Sequence, residues 1–311
     1  MSTGIKAPGN QAAIAFVGFG EAASAFVRGW TEAGIMPTPV AAFDIKTDDA
    51  SADVAQAKRD ASAVAGVAGA TRLADALAGA PIVFSLVTAD RSLEAAESAA
   101  AAIEPDAFFL DCNSVAPANK RAAAALIGAA GGRYVDVAVM APVHPALHKT
   151  PLLLGGPHAP AVRPALDALD MKTEVIEADV GTASAVKMIR SVMIKGLEAL
   201  TLECLLAARL AGVEDRVLDS LDKTDPGIDW RKRAAYNIER VTTHGVRRAA
   251  EMRESAKTVR DLGLSGAMTD GTVAWQQLIG DLNLPPGPDD FAARADAIMA
   301  ELGAKLREED E

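Results

Sequence analysis

The stretch Ala12-Ala13-Ile14-Ala15-Phe16-Val17-Gly18-Phe19-Gly20-Glu21-Ala22-Ala23 constrains this chain more than any other. An apolar run of strand length ends in Gly-x-Gly, and Ala22, Phe26, Val27 and Trp30 follow at helical spacing. Strand, tight turn and helix, with the spacing Gly-x-Gly-x-x-Ala, are the pattern of a dinucleotide-binding loop. Gly18 makes the turn. Gly20 has no side chain, so a pyrophosphate can approach the backbone of Gly18, Phe19, Gly20, Glu21 and Ala22. Ala23 lets the helix sit close on the strand. The helix start supplies unpaired N–H groups and a positive dipole end. A lone Gly-x-Gly says little, since a plain βαβ unit also uses glycines for packing. The context adds to it. Gly34 and Pro37 close the helix, and Val40-Ala41-Ala42-Phe43-Asp44 reads as a second strand ending in an acid. Asp44 stands about 20 residues past the glycines, where a carboxylate accepts from the adenosine ribose and repels a 2′-phosphate. Ile45 follows, where an arginine would favour NADP, so NAD is the expected cofactor. Lys46 is the residue that argues for NADP.

Beyond Asp44, strands and helices alternate. Residues 49–65 read as an exposed Ala-rich helix and Thr71 to Ala78 as a short one. Pro81 to Val87 is a buried strand with Thr88 just past its end, and Asp90 starts a helix reaching about Ile103. Phe108 to Asp111, Arg133 to Val139, Leu152 to Gly156 and Thr173 to Glu177 are further strands, with helices to about Ala130 and near 160–169. This alternation predicts a Rossmann-type doubly wound parallel sheet. Ligands of such sheets lie outside the strands' carboxyl ends. That rule selects Val87, Thr88, Asn113 and Ser114 as candidates beside the nicotinamide ribose and substrate, and a turn-capping role is the alternative for each.

After about Asp179 the pattern is helical throughout: 181–211, 214–222, about 231–262, 266–280 and 289–307, the last after Leu284-Pro285-Pro286-Gly287-Pro288. An all-α C-terminal domain over 180–311 is expected after a nucleotide domain over 1–179. Residues 1–11 read as a frayed start and Arg307-Glu308-Glu309-Asp310-Glu311 as a solvated tail.

The length, 311 residues, suits two domains. A net charge of −11 without a basic cluster argues against nucleic acid. Two cysteines, Cys112 and Cys204, fit a reducing compartment and a cytoplasmic protein. No long uncharged apolar run suggests a membrane span. Lys6, the apolar run and the small residues Ala22 to Ala25 imitate a secretory signal, but the glycine loop accounts for the same residues better.

On the long helix, Lys187, Ser191 and Lys195 share one face, with Glu198 near the same line. Met188, Ile189, Val192, Met193, Leu197, Leu200 and Leu205 occupy the others. A polar stripe on an apolar helix is expected to face water or a cleft, or to bury a Lys195–Glu198 pair, because an unpaired buried ammonium is costly.

These residues together resemble the β-hydroxyacid dehydrogenase superfamily, which includes 6-phosphogluconate and 3-hydroxyisobutyrate dehydrogenases. The layout is similar over nearly the whole chain. Asp111-Cys112-Asn113-Ser114-Val115-Ala116-Pro117 looks like the family's Asp-x-Ser/Asn-Ser/Thr-x-x-Pro turn near nicotinamide and substrate. Gly181-x-Ala183-x-x-x-Lys187 looks like its Gly-x-Gly-x-x-x-Lys motif, whose lysine is catalytic. The resemblance implies hydride transfer between a nicotinamide cofactor and a carbon bearing a hydroxyl, with Lys187 as general acid/base. It also implies a homodimer formed through the α domain. Two departures stand out. Asp136-Val137-Ala138-Val139-Met140-Ala141-Pro142 replaces the family's Asp-x-Pro-Val-Ser-Gly-Gly loop, and Ser191 replaces an asparagine. Met140, Ala141, Pro142 and Ser191, with Ser114, are therefore the expected substrate contacts. They imply a larger or more apolar substrate than the small acids of the named enzymes. The Met-Ala-Pro loop and the segment His244 to Met252 resemble a bacterial subgroup whose C-terminal domain has no known function.

His144, His148 and His158 cluster in sequence, but Pro145 interrupts the first pair, and no metal is expected. His144 or His148 could instead touch substrate. His244, Arg247 and Arg248 read either as a carboxylate site or as a solvated helix face. Two alternatives to a dehydrogenase remain. One is an imine reductase or reductive aminase on the same scaffold, against which the retained lysine argues. The other is a dinucleotide-binding protein without turnover.

Overall fold

The computed structural model describes residues 13–48, 51–177, 179–285 and 287–309. Its first strand, β1 (Ile14–Val17), is buried along its whole length. Side chains alternate across a strand, so Ile14 and Phe16 enter one core and Ala15 and Val17 the other. Such a strand needs helices on both faces of its sheet. The chain supplies them in alternation with further strands: α1 (Glu21–Glu32), β2 (Val40–Phe43), α2 (Ala52–Val64), β3 (Ala68–Gly69), α3 (Leu73–Leu77), β4 (Ile82–Ser85), α4 (Ser92–Ala100), β5 (Phe108–Asp111), α5 (Pro117–Ala129), β6 (Arg133–Val139), β7 (Leu152–Gly155), α6 (Ala159–Ala168) and β8 (Thr173–Glu177). Phe26 and Trp30 of α1 and Val162 and Leu166 of α6 fill the first core. Leu77 of α3, Ala96 and Ala99 of α4 and Ile127 of α5 fill the second.

The strand order is β3-β2-β1-β4-β5-β6-β7-β8. Its first six strands have the 3-2-1-4-5-6 order of dinucleotide-binding sheets, which reverses between β1 and β4. One pair departs from the expected parallel sheet: β7 runs antiparallel to β6, with Asp136 opposite Gly155. The link over 140–151 carries only a turn of 3₁₀ helix at Leu147–Lys149, without the α-helix that a parallel crossover usually uses. β3 is a two-residue strand that pairs Ala68 with Ala41.

The chain divides into two compact units, Met1–Lys187 and Met188–Glu311, and the division falls inside α7 (Thr182–Leu210). The second unit continues with α8 (Glu214–Thr224), α9 (Trp230–Asp261), α10 (Ala267–Gly280) and α11 (Phe291–Glu309). Leu202, Leu205 and Leu206 of α7, Leu218 of α8, Ile238 and Val241 of α9, Ile279 of α10 and Ile298 of α11 form its core. α9 and α10 approach each other at Gly245 and Gly280. A Cβ on Gly245 would stand 2.5 Å from the Gln276 carbonyl oxygen and 2.7 Å from Gly280 Cα.

Arg307 to Glu309, expected in a solvated tail, continue α11. The expected frayed start at 1–11 and the last two residues lie outside the described residues. In the second unit the polar stripe of α7 is buried, and its partners are on α9. Lys195 Nζ bonds Glu251 Oε2, and Glu198 Oε2 accepts from Arg248 Nη1 at 2.5 Å. The expected Lys195–Glu198 pair is therefore replaced by two pairs that cross between helices. The apolar side faces outward: Ile189 is 48%, Met193 64% and Leu200 56% exposed. No helix among the described residues is long and apolar enough to cross a membrane.

Candidate active site

The glycine loop is shaped by contacts that leave no room for side chains. Gly18 has φ +87°, and a Cβ there would lie 2.5 Å from the Leu86 carbonyl oxygen. Its N–H donates to Phe43 O at 2.8 Å, which ties the ends of β1 and β2, and Leu86 N donates to Val17 O at 2.8 Å, which ties in the end of β4. Gly20 precedes α1, and no side chain caps that helix. A Cβ on Gly20 would meet nothing within 4 Å. The bare backbone and the open helix N-terminus fit a pyrophosphate. Phe19 contributes backbone only, since its ring is buried in the first core.

Asp44 stands beside this loop. Its Oδ2 accepts from Phe19 N at 3.0 Å, its Oδ1 from Lys46 N at 3.0 Å, and Lys58 Nζ lies 3.2 Å away. Burial alone would raise its pKa. The two backbone N–H groups and the Lys58 ammonium outweigh burial and hold the carboxyl below its ordinary value. Lys58 also donates to Phe19 O at 3.1 Å. In the sequence it is one charge among several on an exposed helix.

Asn113 ties the ends of β4 and β5. Its Oδ1 accepts from Val87 N at 2.7 Å, and its Nδ2 donates to Ser85 Oγ at 3.0 Å and Asp111 Oδ1 at 2.8 Å. Asn113 is buried, so its side chain is committed to these contacts. Thr88 is exposed at the start of a 3₁₀ turn. Ser114, next to Asn113, accepts from Lys187 Nζ at 2.6 Å. One line of contacts therefore runs from Gly18 through Leu86 and Val87 to Asn113, Ser114 and Lys187.

Behind this pair lies a buried charge cluster that the sequence did not announce. Lys120 Nζ is 3.1 Å from Asp111 Oδ1 and 3.5 Å from Asp136 Oδ1, and all three side chains are 0–1% exposed. Tyr134 donates to Asp111 Oδ2 at 2.7 Å. Asp136 Oδ2 accepts from Gly181 N at 3.0 Å and Ser184 N at 3.1 Å, at the start of α7. Burial would lower the Lys120 pKa, but the two carboxylates raise it above its ordinary value. Burial also pushes the Cys112 thiol up to about 12, so Cys112 stays protonated and is no nucleophile.

Met140 is half-buried, and Ala141 and Pro142 are exposed. Ser191 is buried, one turn beyond Lys187 along α7. His148 packs against α1, where a Cβ on Gly29 would stand 2.1 Å from its Nδ1. This makes it a packing residue rather than a substrate contact. His144 is exposed and His158 half-buried. Among the described residues no group of three His, Cys, Asp or Glu side chains could hold a metal ion. His244 is held below its ordinary pKa by burial and by Arg240 and Arg247. Arg248 is paired with Glu198.

Comparison with known proteins identifies the family and the fold. Residues 13–177 match the NAD binding domain of 6-phosphogluconate dehydrogenase, and residues 208–279 match DUF1932, a domain of unknown function. A conserved hypothetical protein from Sinorhizobium meliloti 1021 is 36% identical, with 94% of this chain and 97% of that one covered and a TM-score of 0.72. A 3-hydroxyisobutyrate dehydrogenase from Mycobacterium tuberculosis shares the fold at 18% identity, TM-score 0.67, over 93% and 99% of the two chains. A reductive aminase from Aspergillus terreus, solved with NADPH, shares it at 17%, TM-score 0.54, over 92% and 99%. An uncharacterised 28.5 kDa protein of Methanothermus fervidus is 28% identical over 151 residues, which are 49% of this chain and 57% of that protein. The chain belongs to the family built on the NAD-binding domain of 6-phosphogluconate dehydrogenase, here joined to a DUF1932 domain.

Proposed function

We propose that this protein is an NAD(P)-dependent oxidoreductase of a hydroxy acid or its oxo counterpart, with Lys187 as general acid/base. The observation that carries the reading is the Lys187 Nζ to Ser114 Oγ contact of 2.6 Å at the carboxyl end of the sheet. When bound, the nicotinamide accepts or supplies the hydride. Lys187 takes the hydroxyl proton as the alcohol carbon loses its hydride, and returns a proton to the oxo oxygen in reverse. Ser114 orients the amine and the substrate oxygen. Asn113 holds the Ser114 turn to β4. Gly18 to Ala22 present backbone to the phosphates, and Asp44 accepts from the adenosine ribose. Met140, Ala141 and Pro142 line the substrate side.

Absorbance at 340 nm with NADH and NADPH, over hydroxy acids, oxo acids and imines, tests this reading. Turnover of oxo acids or their alcohols supports it. Turnover of imines alone favours a reductive aminase, and none with any member of the panel favours a binding protein. Weak activity is expected on 3-hydroxyisobutyrate and 6-phosphogluconate. The same assay reads cofactor preference. The ionised Asp44 repels a 2′-phosphate, so NAD is expected to lead in kcat/KM by roughly tenfold, about 1.4 kcal/mol. Lys58, 3.2 Å from Asp44, limits that margin. Asp44→Ala should narrow or reverse it, and a clear NADP advantage in the unaltered protein would overturn it.

The outward apolar side of α7 supports a homodimer. Ile189, Met193, Leu197 and Leu200 recur at helical spacing and are 38–64% exposed. Such a stripe is apolar surface that association removes from water. Sedimentation should give twice the chain mass, and Met193→Glu with Leu200→Glu should weaken association at least tenfold. A monomer at micromolar concentration would refute it.

A further inference from the structure

We propose that Lys120 is a positioning residue that sets the Lys187–Ser114 contact through two buried carboxylates. The inference rests on the reading of Lys187 given above and adds a residue to it. Lys120 lies on α5 with its side chain 0% exposed. The fold does not require a cation there, because an apolar side chain would fill the same interior without desolvating a charge. The ammonium makes contacts that an apolar residue lacks, and one of them is a hydrogen bond to the Asp111 main-chain oxygen. It meets Asp111 Oδ1 at 3.1 Å, and that same oxygen accepts from Asn113 N at 3.0 Å and Asn113 Nδ2 at 2.8 Å. This fixes the turn that carries Ser114. It also faces Asp136 Oδ1 at 3.5 Å, while Asp136 Oδ2 caps α7 through Gly181 N and Ser184 N. This fixes the helix turn from which Lys187 projects, three residues after Ser184.

The cluster holds two carboxylates and one ammonium. Asp136 Oδ1 makes no hydrogen bond, so Lys120 is the cation that compensates it. Without that cation, two like charges would face each other in a low-dielectric interior. One carboxylate would then turn away or take a proton, releasing either the Ser114 turn or the α7 cap. Lys120 thus couples the two backbone segments whose separation decides whether Lys187 reaches Ser114. Its side chain is 0% exposed, so its action is indirect.

The test is made on the full chain. The rate at which trinitrobenzenesulfonate labels Lys187 is read by peptide mass spectrometry, and NADH binding is read by fluorescence titration. Lys120→Met should change the Lys187 labelling rate at least fivefold and leave the NADH dissociation constant within threefold. In Lys120→Met/Asp136→Asn the asparagine keeps an acceptor for the α7 cap and removes the unpaired charge. It should return the labelling rate to within twofold of the unaltered protein. A Lys120→Met protein that folds and labels normally overturns the proposal, as does a double variant no closer to normal than the single. If Lys120→Met does not fold, Asp136→Asn alone decides: a labelling change of at least twofold supports the coupling, and none overturns it. Labelling reads geometry without turnover. A Lys187→Ala variant that keeps its kcat would therefore sink the acid/base reading while leaving this result standing.

Discussion

Lys187→Ala is expected to lower kcat by roughly 10²–10⁴-fold, the usual loss when a positioned acid/base is removed. Dinucleotide affinity should stay within a few-fold, because the groups that would meet the phosphates are the backbone of 18–22, on α1 and its preceding loop. The lysine stands one turn inside α7, behind a cap supplied by Asp136, so alanine leaves the helix start intact. Lys187 is half-buried, and its hydrogen bond to Ser114 Oγ is made to a neutral hydroxyl. Lys195→Ala is the control. Its partner is Glu251, and its loss leaves that carboxylate without its ammonium inside the second unit. That variant should lose stability and keep most of kcat. Steady-state kinetics with the best substrate of the panel, and NADH titration of both variants, read the result. Near-normal kcat in Lys187→Ala means the proton moves elsewhere.

Gly245→Ala is expected to destabilise the second unit by about 2 kcal/mol, the middle of the range for overpacking. Two effects oppose each other. Alanine is a better helix former than glycine by about 1 kcal/mol. The new Cβ, however, would stand 2.5 Å from a backbone oxygen and 2.7 Å from a backbone carbon of α10. Neither atom can rotate away, so α9 and α10 must part and surrender packing along their crossing. Gly280→Ala should behave alike, with a Cβ 2.4 Å from Val246 N. Gly271→Ala, on the same α10, meets nothing within 4 Å. It should be neutral or slightly stabilising. Chemical denaturation of the three variants separates overlap from helix propensity. Equal stability of Gly245→Ala and the unaltered protein would mean the crossing yields more easily than its geometry implies.

Much of the architecture is written locally. β1, β4 and β5 are apolar runs bounded by turn residues, and the breaks at Gly212 and Gly263 mark where α7 and α9 give way. What the sequence hides is long-range. The reversal at β7 depends on which edge a strand joins, and Leu152 to Gly155 would look the same in either direction. β3 has no apolar run to betray it. On α7 the polar stripe is legible, but its burial is not, because Glu251 and Arg248 come 56 and 50 residues after their partners. Lys120 looks like a surface charge on an Ala-rich helix until Asp111 and Asp136 are placed on adjacent strands. Ser114 and Lys187, 73 residues apart, were linked only by a resemblance to motifs.

The unequal fates of the two thiols make the protein its own reporter. Cys112 is sealed in the first unit and stays protonated, whereas Cys204 is exposed on α7, one turn past Leu200. A maleimide dye therefore attaches at a single address on the native protein without engineering. Because that address adjoins the outward apolar stripe, the speed of attachment becomes a clock for how long that helix face stays wet.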